Sequence, residues 1–349
     1  MAWLSGWDKR IKITVDESVL TDANDLTQFP LTLICKAGLS GIGTVDVSAI
    51  FDEVTTNGLK IAVTKADGET ELYVEQELWD NGTESFVLHV SAPGWVIDSE
   101  TDTDLYIYYD NDHADNTTYV GGVGSRTEVW DANYLIVQHM ADETTATTTD
   151  STSNNNDGTK SSANNPLEAT GKIGLAQAFS SDYISMGDLA SVAGLTTMTL
   201  EAWVNLSALT ADGSIICKYG ENQTSFLFWF DDVASGSTDT YTLYVLDDDS
   251  HNARIEGSTN AATTGWQYVA ATFLANNANG FRLYVDGAED ANSPASSSTV
   301  DETKDVTAPL EIGSSHLDSS TRYFPGIIDE VRVSSTVRTA AWVKACYNS

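Results

Sequence analysis

The sequence is short of positive charge, cysteine, histidine and long apolar runs, and each shortage excludes something. Among 349 residues, Lys+Arg total 17 against 51 Asp+Glu, a formal net charge of −34 at pH 7. A surface of that sign repels phosphate backbones and anionic headgroups, so neither a nucleic acid nor a membrane surface is an expected partner. It favours solubility and offers oxygen ligands to hard cations. The three cysteines, Cys35, Cys217 and Cys346, are odd in number, far apart and without a C-x-x-C pair. No disulfide framework or zinc site is expected from them, only small buried hydrophobes. No apolar run approaches the roughly 18 residues of a membrane span, so membrane insertion is not expected. The opening MAWLSGWDKRIKITV has no basic region followed by an unbroken apolar stretch, so no secretory signal is read there. The five histidines (His89, His113, His139, His251, His316) form no ligand pair, and G-x-S-x-G, H-E-x-x-H and GK[ST] are missing.

What is present is β structure. Alternating runs recur between turn residues: Arg10–Val15, Pro30–Cys35, Gly58–Val63, Glu84–Val90 and Asp104–Tyr109 in the first part. Thr197–Val204, Thr224–Phe230, Thr240–Leu246, Trp266–Leu274, Gly280–Val285 and Gly326–Val333 follow later. Period-two alternation turns one face to a core and the other to solvent. Many such strands joined by Asp-Gly, Asn-Gly and Ser/Thr-rich turns predict an all-β chain of sandwiches or jelly rolls. One helix is predicted, at Arg338–Tyr347, with Ala341, Trp342, Ala345 and Cys346 at helical spacing. Length alone suggests about two domains. The polar, glycine-rich Asp110–Ser125 ends the first, giving a β-sandwich at 1–129 and a jelly roll at 130–349.

Four ordered pieces resemble the concanavalin A-like, laminin G-type jelly roll. They are His139–Gly158 (HMADETTATTTDSTSNNNDG), Gly171–Asp188 (GKIGLAQAFSSDYISMGD), Met198–Asn205 with Gly265–Gly287, and Phe324–Asn348 (FPGIIDEVRVSSTVRTAAWVKACYN). The turn at Phe179–Tyr183 departs from the family pattern by a glycine and an aspartate. Residues 1–129 resemble the domain of unknown function 2341, carried by Trp7–Val15, Leu26–Leu33, Ile61–Asp80 and Leu105–Asn111. That resemblance implies a β-sandwich accessory module in which Trp7, Arg10 and Trp79 are structural.

The jelly-roll resemblance implies three kinds of chemistry. Hydrolases of the superfamily place carboxylates two residues apart on one strand, so that alternation aims them into one cleft about 5 Å apart. Glu71, Glu75 and Glu77 have such spacing but lie in the first domain without the aspartate, and read as a solvated strand face or loop. Glu201 stands alone. A polysaccharide hydrolase with an atypical site is therefore only the alternative. A structural calcium is the second kind, held by Asp329 on the last strand with Asp142 and Asp157 from the domain's start; the plainer reading has Asp329 bonding a neighbouring loop. His139 is expected to pack or hydrogen-bond locally. Glycan binding is the third kind, which needs a flat aromatic beside Asp/Asn side chains. Tyr219, Trp229, Tyr241 and Tyr244 are its candidates, with Asn222, Asp231 and Asp232 nearby. Trp203, Trp266 and Trp342 are assigned to the core.

The expectation is a non-catalytic adhesion protein binding a cell-surface glycan or virion protein, with homo-oligomerisation open. A chain entering its first strand almost at once, without a leader, suits a bacteriophage capsid-decoration or tail protein on the virion surface. An extracellular or cell-surface carbohydrate-binding protein is the rival.

Overall fold

The computed structural model describes the chain except residues 1–2, 20–23, 39–44, 143–145, 162–165, 221–222, 233–238 and 316–321. It is mostly β and divides into two compact units, one of residues 1–132 with 344–349 and the other of residues 133–343.

The first unit is built on a six-stranded antiparallel sheet in the order Lys9–Val15, Thr103–Tyr109, Ile61–Lys65, Glu71–Asp80, Ser85–Ser91, Leu31–Lys36. The strand expected to open at Gly58 begins at Ile61, because residues 57–59 form a turn capped by the Asn57 side chain. Two short helices, Ser48–Val54 and Val123–Val129, were not legible as periodic segments. Near the N-terminus the Arg10 guanidinium lies 4.2 Å from the Trp3 ring and 4.1 Å from the Tyr106 ring. Trp7 stacks on His113 at 4.0 Å.

The second unit is two packed sheets. One runs Thr147–Thr148, Gly158–Lys160, Ile184–Ser185, Leu310–Ile312, Gly213–Lys218, Phe226–Asp231, Thr240–Leu246, Asn252–Glu256. The other runs Leu167–Thr170, Leu175–Phe179, Gly326–Ser334, Thr197–Leu206, Gly265–Leu274, Phe281–Val285, Ala288–Glu289, with Tyr134–Gln138 pairing to Gly326–Ser334. Alternation sends Ile216, Phe226, Phe228, Phe230 and Leu243 from the first sheet, and Val204, Val269, Phe273 and Val331 from the second, into one apolar core. Each such side chain contributes about 1.5–3 kcal/mol through burial. The Thr/Ser/Asn-rich segment after Met140 is folded in by Asp150, whose carboxylate takes the N–H groups of Val137, Thr152 and Asn156. Gly313 is required locally: its φ is +83°, and a Cβ there would come within 2.2 Å of the Phe179 ring. The terminal helix spans Ala340–Asn348.

Register shifts break the period-two pattern at four places among the described residues, two of them at Ser214/Ile216 and Val333/Ser334. In the first unit the register between Glu71–Asp80 and Ser85–Ser91 shifts at Gln76/Leu78. In the second, Gly326–Ser334 gains a residue against Glu201/Trp203, and Glu330 takes a φ of +50°.

Candidate functional site

Directly paired residues on neighbouring strands share a face, so the register identifies which side chains line the outside of the first jelly-roll sheet. One row crosses all eight strands: Thr147, Thr159, Ser185, Glu311, Cys217, Leu227, Tyr244, Arg254. The next row holds Ser214, Trp229, Thr242 and Glu256. Cys217, Leu227 and Trp229 form a small apolar bed of their own, separate from the core, and Tyr219 and Tyr244 pack half-buried against it. Burial raises the Tyr244 hydroxyl above the usual phenol range, and the neighbouring Tyr219 adds to the shift. The Arg322 guanidinium lies 5.9 Å from the Tyr219 ring, with Nε 3.5 Å from Asp212. Asp212 also accepts the Asp232 N–H at 3.1 Å. Asp231 lies two residues beyond Trp229 on the same face and is largely buried.

The aromatic candidates therefore separate. Tyr219 and Tyr244 present ring surface, while Trp229 is 7% exposed and serves chiefly as the floor. Tyr241 is a correction: it points to the opposite face, is 1% exposed, and its hydroxyl bonds Gln267 Oε1 at 2.9 Å inside the core. Asn222 lies outside the described residues. Arg322 and Glu311 were not legible as site residues. Arg322 comes near Tyr219 only through the tertiary fold, and the Gly213–Lys218 strand between them carries no strong alternation.

The three aspartates expected to hold calcium are each engaged in a separate hydrogen-bonding role. Their carboxylates do not converge among the described residues. Asp329 Oδ2 accepts the Lys172 and Ile173 N–H groups at 2.8 and 3.0 Å, the plainer role expected for it. Asp142 holds the Thr149 N–H, and Asp157 holds the Asp150 N–H. A cation is already built in at this corner: the buried Lys160 ammonium donates to the Asp142 carbonyl at 2.6 Å.

The carboxylates are equally informative about hydrolysis. On the outer face Glu311, Asp231 and Glu256 sit on three separate strands, so none provides the two-residue spacing. Glu201 belongs to the other sheet and accepts the Tyr268 hydroxyl. In the first unit, Glu75 and Glu77 are buried rather than solvated. Glu75 accepts the Trp130 indole N–H at 2.6 Å, and the bulge turns Glu77 to His89 at 2.9 Å, with Thr32 on the other ring nitrogen. Glu71 is held by Asn116. His139 does not bond locally either: Nδ1 meets Glu330 Oε1, 191 residues away.

No curated protein matches the chain. Among solved structures, the chain is similar to the binding domain of Paraclostridial Mosquitocidal Protein 1 (12% identity, TM-score 0.48, 62% of this chain and 52% of that one). It is also similar to domain 4 of AbnA, a GH43 extracellular arabinanase from Geobacillus stearothermophilus, in complex with arabinotriose (18%, TM-score 0.43, 62% and 98%). A third is the botulinum neurotoxin serotype G binding domain (10%, TM-score 0.46, 62% and 50%). The chain spans about half the length of the first and third of these. Residues 179–344 match the family model of the concanavalin A-like lectin/glucanases superfamily, which supports a concanavalin A-like jelly-roll fold for that part of the second unit, in keeping with its two packed sheets.

Proposed function

We propose that the jelly roll is a non-catalytic carbohydrate-binding domain whose platform is formed by Tyr219 and Tyr244. The observation that carries this reading is their position, half-buried on the bed of Cys217, Leu227 and Trp229, on the face turned away from the core. Rings held in this way lose little freedom when the apolar face of a pyranose stacks on them, and Asp231, Asp212 and Arg322 supply groups for its hydroxyls. The scattered outer-face carboxylates support binding without cleavage. A virion or cell surface is the setting we propose for this binding, tested by a mass-spectrometric inventory of intact particles.

Affinity electrophoresis through gels containing β-glucan, galactan, mannan or arabinan tests the reading. At least one gel should retard the full chain, and the double variant Tyr219→Ala/Tyr244→Ala should migrate freely there. Migration unaffected by every polysaccharide, together with stable self-association, would replace a glycan partner with a protein one.

A further inference from the structure

A hollow opens on the same outer face, at the other end of the strand row. It measures about 500 Å³ and is lined by Asp157, Thr159, Lys160, Ser161, Tyr183 and Ser185. Thr159 and Ser185 are a directly opposed cross-strand pair and belong to the row that ends in Tyr244 and Arg254. Their strands stand four steps and more from the Thr240–Leu246 strand, a separation of about 19 Å from Ser185 at the usual interstrand spacing.

We propose that this hollow is a second sugar-binding site, specific for a neutral hexopyranose unit presenting vicinal hydroxyls. The inference rests on the glycan-binding reading of the same domain and deepens it. Tyr183 supplies a half-buried ring for the pyranose C–H face. Asp157 is exposed at the mouth, and because Oδ1 is fixed by the Asp150 N–H at 2.9 Å, the carboxylate is oriented before any ligand arrives. An oriented carboxylate accepts from adjacent hydroxyls, while the Thr159 and Ser185 hydroxyls donate or accept as needed. The single cation of the lining, Lys160, is committed inward to the Asp142 carbonyl, so it offers no ion pair to a ligand. A uronate would meet Asp157 and a protein of net charge −34, which selects the neutral sugar.

The test is titration calorimetry of the full chain with trisaccharides of glucan, galactan and mannan, and with oligogalacturonate. Tyr183→Ala and Asp157→Asn should each weaken binding of the neutral trisaccharide by about tenfold, the size of one stacking or oriented polar contact. Melting temperatures should stay at the wild-type value, and oligogalacturonate should bind more weakly than the neutral ligands. Wild-type affinity in both variants, with loss only in Tyr244→Ala, would overturn the second site and leave the glycan reading intact. Equal or tighter binding of oligogalacturonate would overturn the neutral-sugar assignment. No binding of any ligand by the wild type would overturn both readings.

Discussion

His139 and Glu330, 191 residues apart, meet inside the jelly roll with Nδ1 2.6 Å from Oε1. The other Glu330 oxygen takes the Arg332 guanidinium at 2.5 Å. The contact exists because the bulge in the last strand puts Glu330 at positive φ and turns its side chain to His139. Removing one partner from such a buried network leaves the remaining charge without compensation. Glu330→Ala should therefore cost about 3–5 kcal/mol, read as a shift of the urea midpoint. A cost under about 1 kcal/mol would show that the contact contributes little.

Trp229 and Tyr241 were grouped with the sugar-facing rings by sequence, and the structure gives them different consequences. Trp229→Ala should destabilise the fold by about 3–5 kcal/mol because it removes the floor beneath the tyrosines. Tyr241→Phe should cost about 1 kcal/mol for the lost bond to Gln267 and leave carbohydrate retention unchanged. Thermal melts alongside affinity gels check both; impaired retention by Tyr241→Phe would return that residue to the site.

How far the sequence could be read follows from where the period-two rule holds. Thr240–Leu246 and Phe281–Val285 alternate cleanly and were legible almost to the residue. The rule also holds in Phe226–Asp231, where Leu227, Trp229 and Asp231 lie on the face opposite Phe226, Phe228 and Phe230. It failed at Glu77 and Glu330, because an extra residue changes the face a side chain takes and leaves no compositional trace. Tyr241 lies on the core face because its odd spacing from Tyr244 in one strand places the two on opposite faces. Arg322 and Tyr183 required the tertiary fold.

The corner around Asp142 should behave as calcium-independent. With the Lys160 ammonium on the Asp142 carbonyl, chelator and millimolar calcium should give the same melting temperature. Lys160→Ala should lower stability by about 1.5–3 kcal/mol, since the Asp142 carbonyl loses a charged donor. A calcium-dependent rise in the wild-type melting temperature, abolished by Asp329→Ala, would restore the metal reading.

Asp182 provides a pH signature. Burial raises its carboxyl above the ordinary aspartate range, against the lowering effect of the Ser180 N–H. A raised folded-state pKa means that its favourable contribution is complete below the unfolded value and is lost as pH rises through the folded one. Asp182→Asn keeps an oxygen for Ser180 without the charge. Its melting temperature should exceed wild type at pH 7, with the gap closing towards about pH 4. A gap independent of pH would remove ionisation as the cause.

Binding without bond cleavage is tested most directly by light scattering of a retained polysaccharide before and after prolonged incubation with the protein. The expected result is co-elution with an unchanged polysaccharide mass. A falling mass that is abolished by Glu311→Gln would contradict it, since Glu311 is the buried carboxylate at the centre of the face.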